Sequence, residues 1–358
     1  MKTGKSLIEL ATEISRQNDA KKDYIADTRA IQMVVRDDGE NARGVELAGF
    51  NGSPLAIQGT AHAQIAGKIG VPKVYYDRMR AEAPELLAAN VNHWFNAQPG
   101  KQMVRTLDGK VRGFLSDRFR AWDNYDLLNA AFPVLQGRNA VIQSCEVTEK
   151  HFFLKATFPE LSTEIPCSMR VGDIVDVGFS LRNSEIGFSS LAVEPFFNFR
   201  VCTNGMISNH AQRKYHVGKR ADTQDAVEEI LRNETRDMRD TAFWMQIQDV
   251  LQTVVSRDIM MQHVEQFTAT TRNVITADPV KVVEVARRTF ALSEAQGGGI
   301  LQHFLKSGDM SQWGLINAVT RTAQDQADYE DATMLERLGG QIVELAPKDW
   351  SALIKQAA

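Results

Sequence analysis

Between Met103 and Cys202 the chain alternates short, β-prone apolar runs with connections too short for a parallel crossover, which forces neighbouring runs to pair antiparallel. Met103 to Leu107 and Val111 to Leu115 flank Asp108-Gly109, a dipeptide suited to a tight hairpin turn. Val141 to Glu149 and Phe152 to Phe158 read as a second pair. Asp173 to Leu181 and Phe188 to Cys202 follow, with Asn183-Ser184-Glu185-Ile186-Gly187 as the turn between them.

Helical periodicity brackets this region. Leu7, Ile8, Leu10, Ala11 and Ile14 give Ser6 to Gln17 an apolar stripe. Ala30 to Val35 and Val45 to Phe50 read as strands around the turn signal Asp37 to Asn41. Thr60 to Ile69 is a predicted helix stopped by Gly70 and Pro72, and helical texture resumes to Asn96. After Ala221 the pattern is helical to the end: Thr223 to Val255, Asp278 to Leu292, Ser311 to Gln324 and Tyr329 to Leu345. Gly297-Gly298-Gly299 is read as a connector. The expected fold class is α+β, an antiparallel sheet packed with helices over residues 1–220 followed by an all-helical region over 221–358.

With 358 residues, 43% of them hydrophobic, the chain can bury a large core. Its net charge of −4 argues against a protein that coats DNA over its whole surface, so contact with a polyanion requires local patches. Cys145, Cys167 and Cys202 lie in apolar runs and read as buried thiols of a reducing compartment. The sequence around Met1 to Glu9 lacks an apolar signal core, and no run of eighteen apolar residues occurs. A cytoplasmic protein with no membrane span is expected.

Several chemistries lack their residues. The histidines have no metal-ligand spacing, no Cys-x-x-Cys pair exists, and neither a P-loop nor a Gly-x-Ser-x-Gly elbow is present. No metal, no cofactor and no catalytic residue is therefore assigned. Asp222, Asp225, Glu228, Glu229, Glu234, Asp237 and Asp240 alternate with arginines, as on a solvated helix face.

Two basic segments stand out in this acidic chain. Lys101 to Arg120 carries six basic residues against two acids, among them Arg105, Lys110, Arg112, Arg118 and Arg120, with Phe119 and Trp122 as candidate stacking rings. Strand alternation puts Lys110 and Arg112 on one face. The second segment, Ser208 to Arg220, is read as a loop with Arg213, Lys214, Tyr215, Lys219 and Arg220 as contacts to phosphate or base. Asn204-Gly205 is read as a tight turn, with positive φ, that ends the last core strand and aims this loop.

His62-Ala63-Gln64 with Ile69-Gly70-Val71-Pro72 and Tyr75-Tyr76, Leu115 to Arg120 with Asn124, Asn183 to Gly187, Arg200 to Met206, and Trp313 to Thr320 together resemble a phage and plasmid protein family of unknown function. The likeness runs from about residue 45 to about 325 and implies work on mobile DNA, without catalytic residues to transfer. The expected architecture is similar to that of single-strand annealing proteins of phage recombination, which need neither ATP nor metal. The leading expectation is a single-stranded DNA binding or annealing protein of recombination or replication that forms a homo-oligomer. Two others stand beside it: a protein-interaction module acting against host defence or docking on a replication complex, and a metal-dependent nuclease.

Overall fold

The computed structural model describes residues 2–36, 44–50, 52–165, 173–200, 204–208, 212–214, 233–254 and 256–357. The fold is α+β and contains two sheets. The first has the order β1-β5-β6-β4-β3-β2, from β1 (Lys22–Asp27), β2 (Gln32–Arg36), β3 (Gly44–Ala48), β4 (Leu55–Ile57), β5 (Lys101–Leu107) and β6 (Lys110–Ser116). The one parallel pairing among the described residues, β4 with β6, is reached through α2 (Gly59–Lys68), α3 (Lys73–Glu82), α4 (Pro84–Ala97) and β5, a connection long enough for a crossover. Asp108 and Gly109, with φ of 51° and 70°, make the tight turn that joins β5 to β6. Gly70, with φ of 70°, and Pro72 end α2 where the sequence predicts.

The core of this sheet includes Leu47, Ile65, Tyr76, Val91, Phe95 and Val104. Inside it His62 Nδ1 lies 2.9 Å from the Tyr76 hydroxyl. Burial, helped by nearby Arg80 and Lys73, pushes His62 down to about 4. The unfolded chain, with its histidine near the ordinary 6.5, binds more protons between pH 6.5 and 4, so this burial favours folding above pH 6.5 and loses its effect as pH falls toward 4. The loss amounts to about 3 kcal/mol. Urea unfolding at pH 7.5 and 4.5 is expected to show a smaller acid loss for His62→Gln than for the parent chain; equal losses would remove His62 as the cause.

The second sheet has the order β11-β10-β9-β8-β7, with β12 also on β10. Its strands are β7 (Val141–Val147), β8 (Phe152–Ile165), β9 (Asp173–Asn183), β10 (Leu191–Phe199), β11 (Asn204–Ile207) and β12 (Gln212–Lys214), all antiparallel. Around it lie α1 (Leu7–Ala20), α5 (Asn124–Gly137), α6 (Asn233–Val254), α7 (Arg257–Thr271), α8 (Pro279–Thr289), α9 (Glu294–Ser307), α10 (Gln312–Thr322), α11 (Tyr329–Val343) and α12 (Pro347–Ala357). The C-terminal helices share one apolar core with this sheet: Leu154, Leu181, Val193 and Phe197 cluster with Leu251, Phe267, Trp313 and Leu335. The Phe267 ring meets Phe197 edge-on with centroids 5.0 Å apart.

The other side of the sheet is polar and also buried. Lys155, Ser180 and Glu194 occupy one register row across β8, β9 and β10, and each is fully buried. Helix α11 covers them, pairing Glu336 with Lys155 and Arg337 with Glu194.

Two expected turns are resolved differently. Gly297 to Gly299 lie inside α9, whose start is fixed by a reciprocal cap between Ser293 and Gln296. Their lack of side chains lets the helix approach its neighbours, since a Cβ on Gly299 would sit 2.9 Å from Thr322 Cγ2. Asn204 and Gly205 open strand β11 and neither has positive φ, so the predicted turn is corrected to extended backbone. Asn204 is buried, donating to Asn317 O at 3.2 Å and accepting from Gln324 Nε2 at 2.8 Å. Gly205 is required by packing: an added Cβ would stand 2.8 Å from Phe196 Cε2 and 3.2 Å from Glu336 Oε1. Gly205→Val is expected to lower stability by about 1–3 kcal/mol through this overpacking. A melting temperature equal to that of the parent would show that the neighbours yield freely.

Among the cysteines, Cys145 is buried, its Sγ bonded to Lys5 O, and burial pushes its thiol up to about 11. Cys167 and Cys202 lie outside the described residues. Among the described residues no helix is long and apolar enough to cross a membrane.

Candidate nucleic-acid interface

The β5/β6 hairpin carries Arg105 and Arg112 toward the turn Asn183 to Gly187, and both guanidinium groups end inside the protein. Arg105, fully buried, donates from Nε to Asp23 Oδ1 at 2.9 Å, from Nη2 to Asp123 Oδ1 at 2.6 Å and from Nη1 to Glu185 O at 2.7 Å. Burial opposes its charge, and Asp123, Asp23 and Glu185 outweigh that, holding the guanidinium above its ordinary value. Asp123 also takes Lys21; burial works against its charge, and the two cations bring its carboxyl below the usual range. Arg112 Nη2 donates to Glu185 Oε2 at 2.6 Å, and Glu185 Oε1 accepts from the Asn124 amide at 2.7 Å.

Other pieces of the sequence likeness meet at the same junction. Asn183 Nδ2 bonds Trp122 O at 2.8 Å and Asn124 Oδ1 at 2.9 Å. Gln64 donates to Ile186 O at 2.7 Å and accepts from the Phe114 amide at 2.7 Å. Gly187, with φ of 78°, brings this turn against Leu115 and Phe119, where a Cβ would meet Leu115 Cδ2 at 3.1 Å. These residues clasp the first sheet to the second.

Four expected contacts are therefore corrected. Arg105 and Arg112 are enclosed by carboxylates and cannot reach a phosphate. Phe119 is buried beside Gly187, and Trp122 is buried with its ring stacked on Phe243, centroids 4.1 Å apart, so neither presents a face to a base. The error comes from strand alternation: it assigns Arg112 to the face of Lys110, but only Lys110, at the hairpin turn, faces solvent.

Arg118 is exposed and Arg120 half-buried in the connection from β6 to α5. Arg213 and Lys214, expected in a loop, belong to β12, opposite Ala192 and Leu191 of β10. Tyr215, Lys219 and Arg220 lie outside the described residues. Leu191 is four residues from Gly187, at most about 14 Å of extended chain, and Gly187 touches Phe119, the residue between Arg118 and Arg120. Arg118 and Arg120 thus flank the residue packed at Gly187, and Arg213 and Lys214 lie on the strand paired with the start of β10, which follows four residues after Gly187. Lys110 stands apart at the opposite end of its hairpin, where Asp108 is paired with Arg16.

One further cation escaped the sequence reading. Arg182, at the end of β9, lies in register with Phe153 on one side and Ala192 on the other, and Ala192 in turn faces Arg213. Two strand spacings, about 10 Å, separate the Arg182 and Arg213 backbones. The available signal was parity: Arg182 continues the polar positions Ser180 and Asp176 of its strand.

No family model, curated protein or solved structure matches the chain. What the site can do is accordingly read from its own residues. Among the described residues no group of three or more His, Cys, Asp or Glu is arranged to hold a metal ion.

Proposed function

We propose that the chain is a single-stranded DNA binding and annealing protein of a phage or plasmid, independent of ATP, that works in recombination or replication in the bacterial cytoplasm as a homo-oligomer. The observation that carries this reading is the placement of Arg118 and Arg120 beside the turn that leads into β10, and of Arg213 and Lys214 on the strand paired with the start of β10, in a chain of net charge −4. Such cations attract phosphates through counterion release, independently of sequence. Lys219 and Arg220 follow β12 after four residues and bring two further cations to this stretch of the sequence. Four to six charges on one copy bind weakly, and their repetition around an assembly multiplies the effect.

Replacing Arg118, Arg120, Arg213 and Lys214 together by Ala tests the reading. Three or four lost phosphate contacts at about 0.7 each are expected to flatten the logarithmic salt slope of oligonucleotide binding by about 2–3 units. A folded variant with parental affinity and slope overturns the assignment. Absence of binding by the parent chain at low salt would favour a docking module, and magnesium-dependent cutting would favour a nuclease.

A further inference from the structure

A cleft with a volume of about 460 Å³ opens where the ends of β8 and β9 meet α11 and the turn after α8. Its size lies within the range of small-molecule sites. Phe153, Phe290, Met334 and Leu338 form apolar walls, and Arg182 and Arg337 bring two guanidinium groups to the same space. Arg337 engages Glu194 through Nε and Nη2, which leaves its Nη1 hydrogens for another acceptor. The one acidic side chain in the lining, Glu330, already accepts from His151 Nδ1 at 3.0 Å and Thr148 Oγ1 at 2.9 Å and faces Lys150. Burial, outweighing Glu330, keeps His151 below its ordinary value, so near pH 7 it offers a neutral ring. Gln341 adds an exposed amide.

The wall also contains Ala291, whose φ of 52° is unfavourable for a residue with a Cβ. It is the left-handed residue that closes α8, with Leu292 N donating to Arg287 O at 2.9 Å. The register row Phe153, Arg182, Ala192, Arg213 leads from this cleft to the basic strand β12.

We propose that the cleft receives one nucleotide unit of a bound strand, a terminal or unstacked residue, with its phosphate on Arg182 and Arg337, its base against Phe290 and Met334, and the base edge met by His151 and Gln341. This rests on the reading of the chain as a strand binder. An aromatic body with one anionic group is the chemistry that uses both halves of the lining. A bare phosphate leaves the apolar walls wet, and a nucleoside brings no anion to the arginines.

Equilibrium dialysis with dAMP, adenosine and inorganic phosphate tests the proposal. The parent chain is expected to bind one dAMP per chain, with adenosine and phosphate at least about tenfold weaker. Arg182→Ala is expected to weaken dAMP about tenfold or more. Gln341→Trp, which fills the cleft from an exposed helix position and leaves the fold intact, should do the same. No dAMP binding by the parent, or undiminished binding by Gln341→Trp, overturns the pocket; phosphate binding as tightly as dAMP overturns the base contact. A parent that binds oligonucleotides with a steep salt dependence yet ignores dAMP sinks the pocket alone. One that binds dAMP but no oligonucleotide sinks the strand reading alone.

Discussion

Arg105→Met is expected to destabilise the chain by about 3–5 kcal/mol, because removing the guanidinium leaves the buried Asp123 carboxylate without its main counter-charge. Asp123 would keep only Lys21, and Asp23 and Glu185 O would lose their donors at 2.9 and 2.7 Å. The buried Asp123 cannot recover its loss from water, whereas the partner of an exposed cation such as Arg118 can. Urea unfolding measures the difference. A change below about 1 kcal/mol, accompanied by weaker oligonucleotide binding, would restore Arg105 as a phosphate contact and refute the clasp.

The second large effect belongs to Lys155 and Glu336, two fully buried side chains that face each other between the sheet and α11. Burial works against the Lys155 charge, and Glu336 and Tyr329 outweigh it, keeping the ammonium above its ordinary value. Lys155→Met alone is expected to cost about 3–5 kcal/mol, since it strands a carboxylate whose Oε1 already has no hydrogen-bond partner among the described residues. The double variant Lys155→Met, Glu336→Leu should return to within about 2 kcal/mol of the parent, because a well-packed apolar pair removes both desolvation penalties. Chemical denaturation of the two single variants and the double variant forms the cycle. Additive losses would mean that the pair does not act as a unit.

The same two networks mark where sequence reasoning stops. In β8 to β10 the alternation is legible: Leu154, Leu181 and Val193 face the shared core as their parity predicts. Parity also predicts that Lys155, Ser180 and Glu194 meet solvent, and they do not. Their partners, Glu336 and Arg337, lie more than 140 residues away, on a helix whose pattern gives no sign of the sheet it covers. Arg105 failed for the same reason, since a basic residue on a strand looks identical whether water, phosphate or a distant aspartate waits for it. Local signals fared better. Asp108-Gly109 turns, and Gly70 and Pro72 stop α2, because each depends on residues within a few positions. The glycine triplet lay between: its composition announces close approach or freedom, and only the tertiary contact with Thr322 shows which.

Hydrogen exchange of the chain with and without a single-stranded oligonucleotide reports where a strand lies. Slowed exchange is expected in residues 116–121 and in β10 and β12 around Leu191, Ala192, Arg213 and Lys214, with no change in the buried stretch 104–106 of β5 that holds Arg105. Protection confined to the β5/β6 hairpin, or no protection anywhere under conditions in which the oligonucleotide is bound, would contradict this placement of the strand.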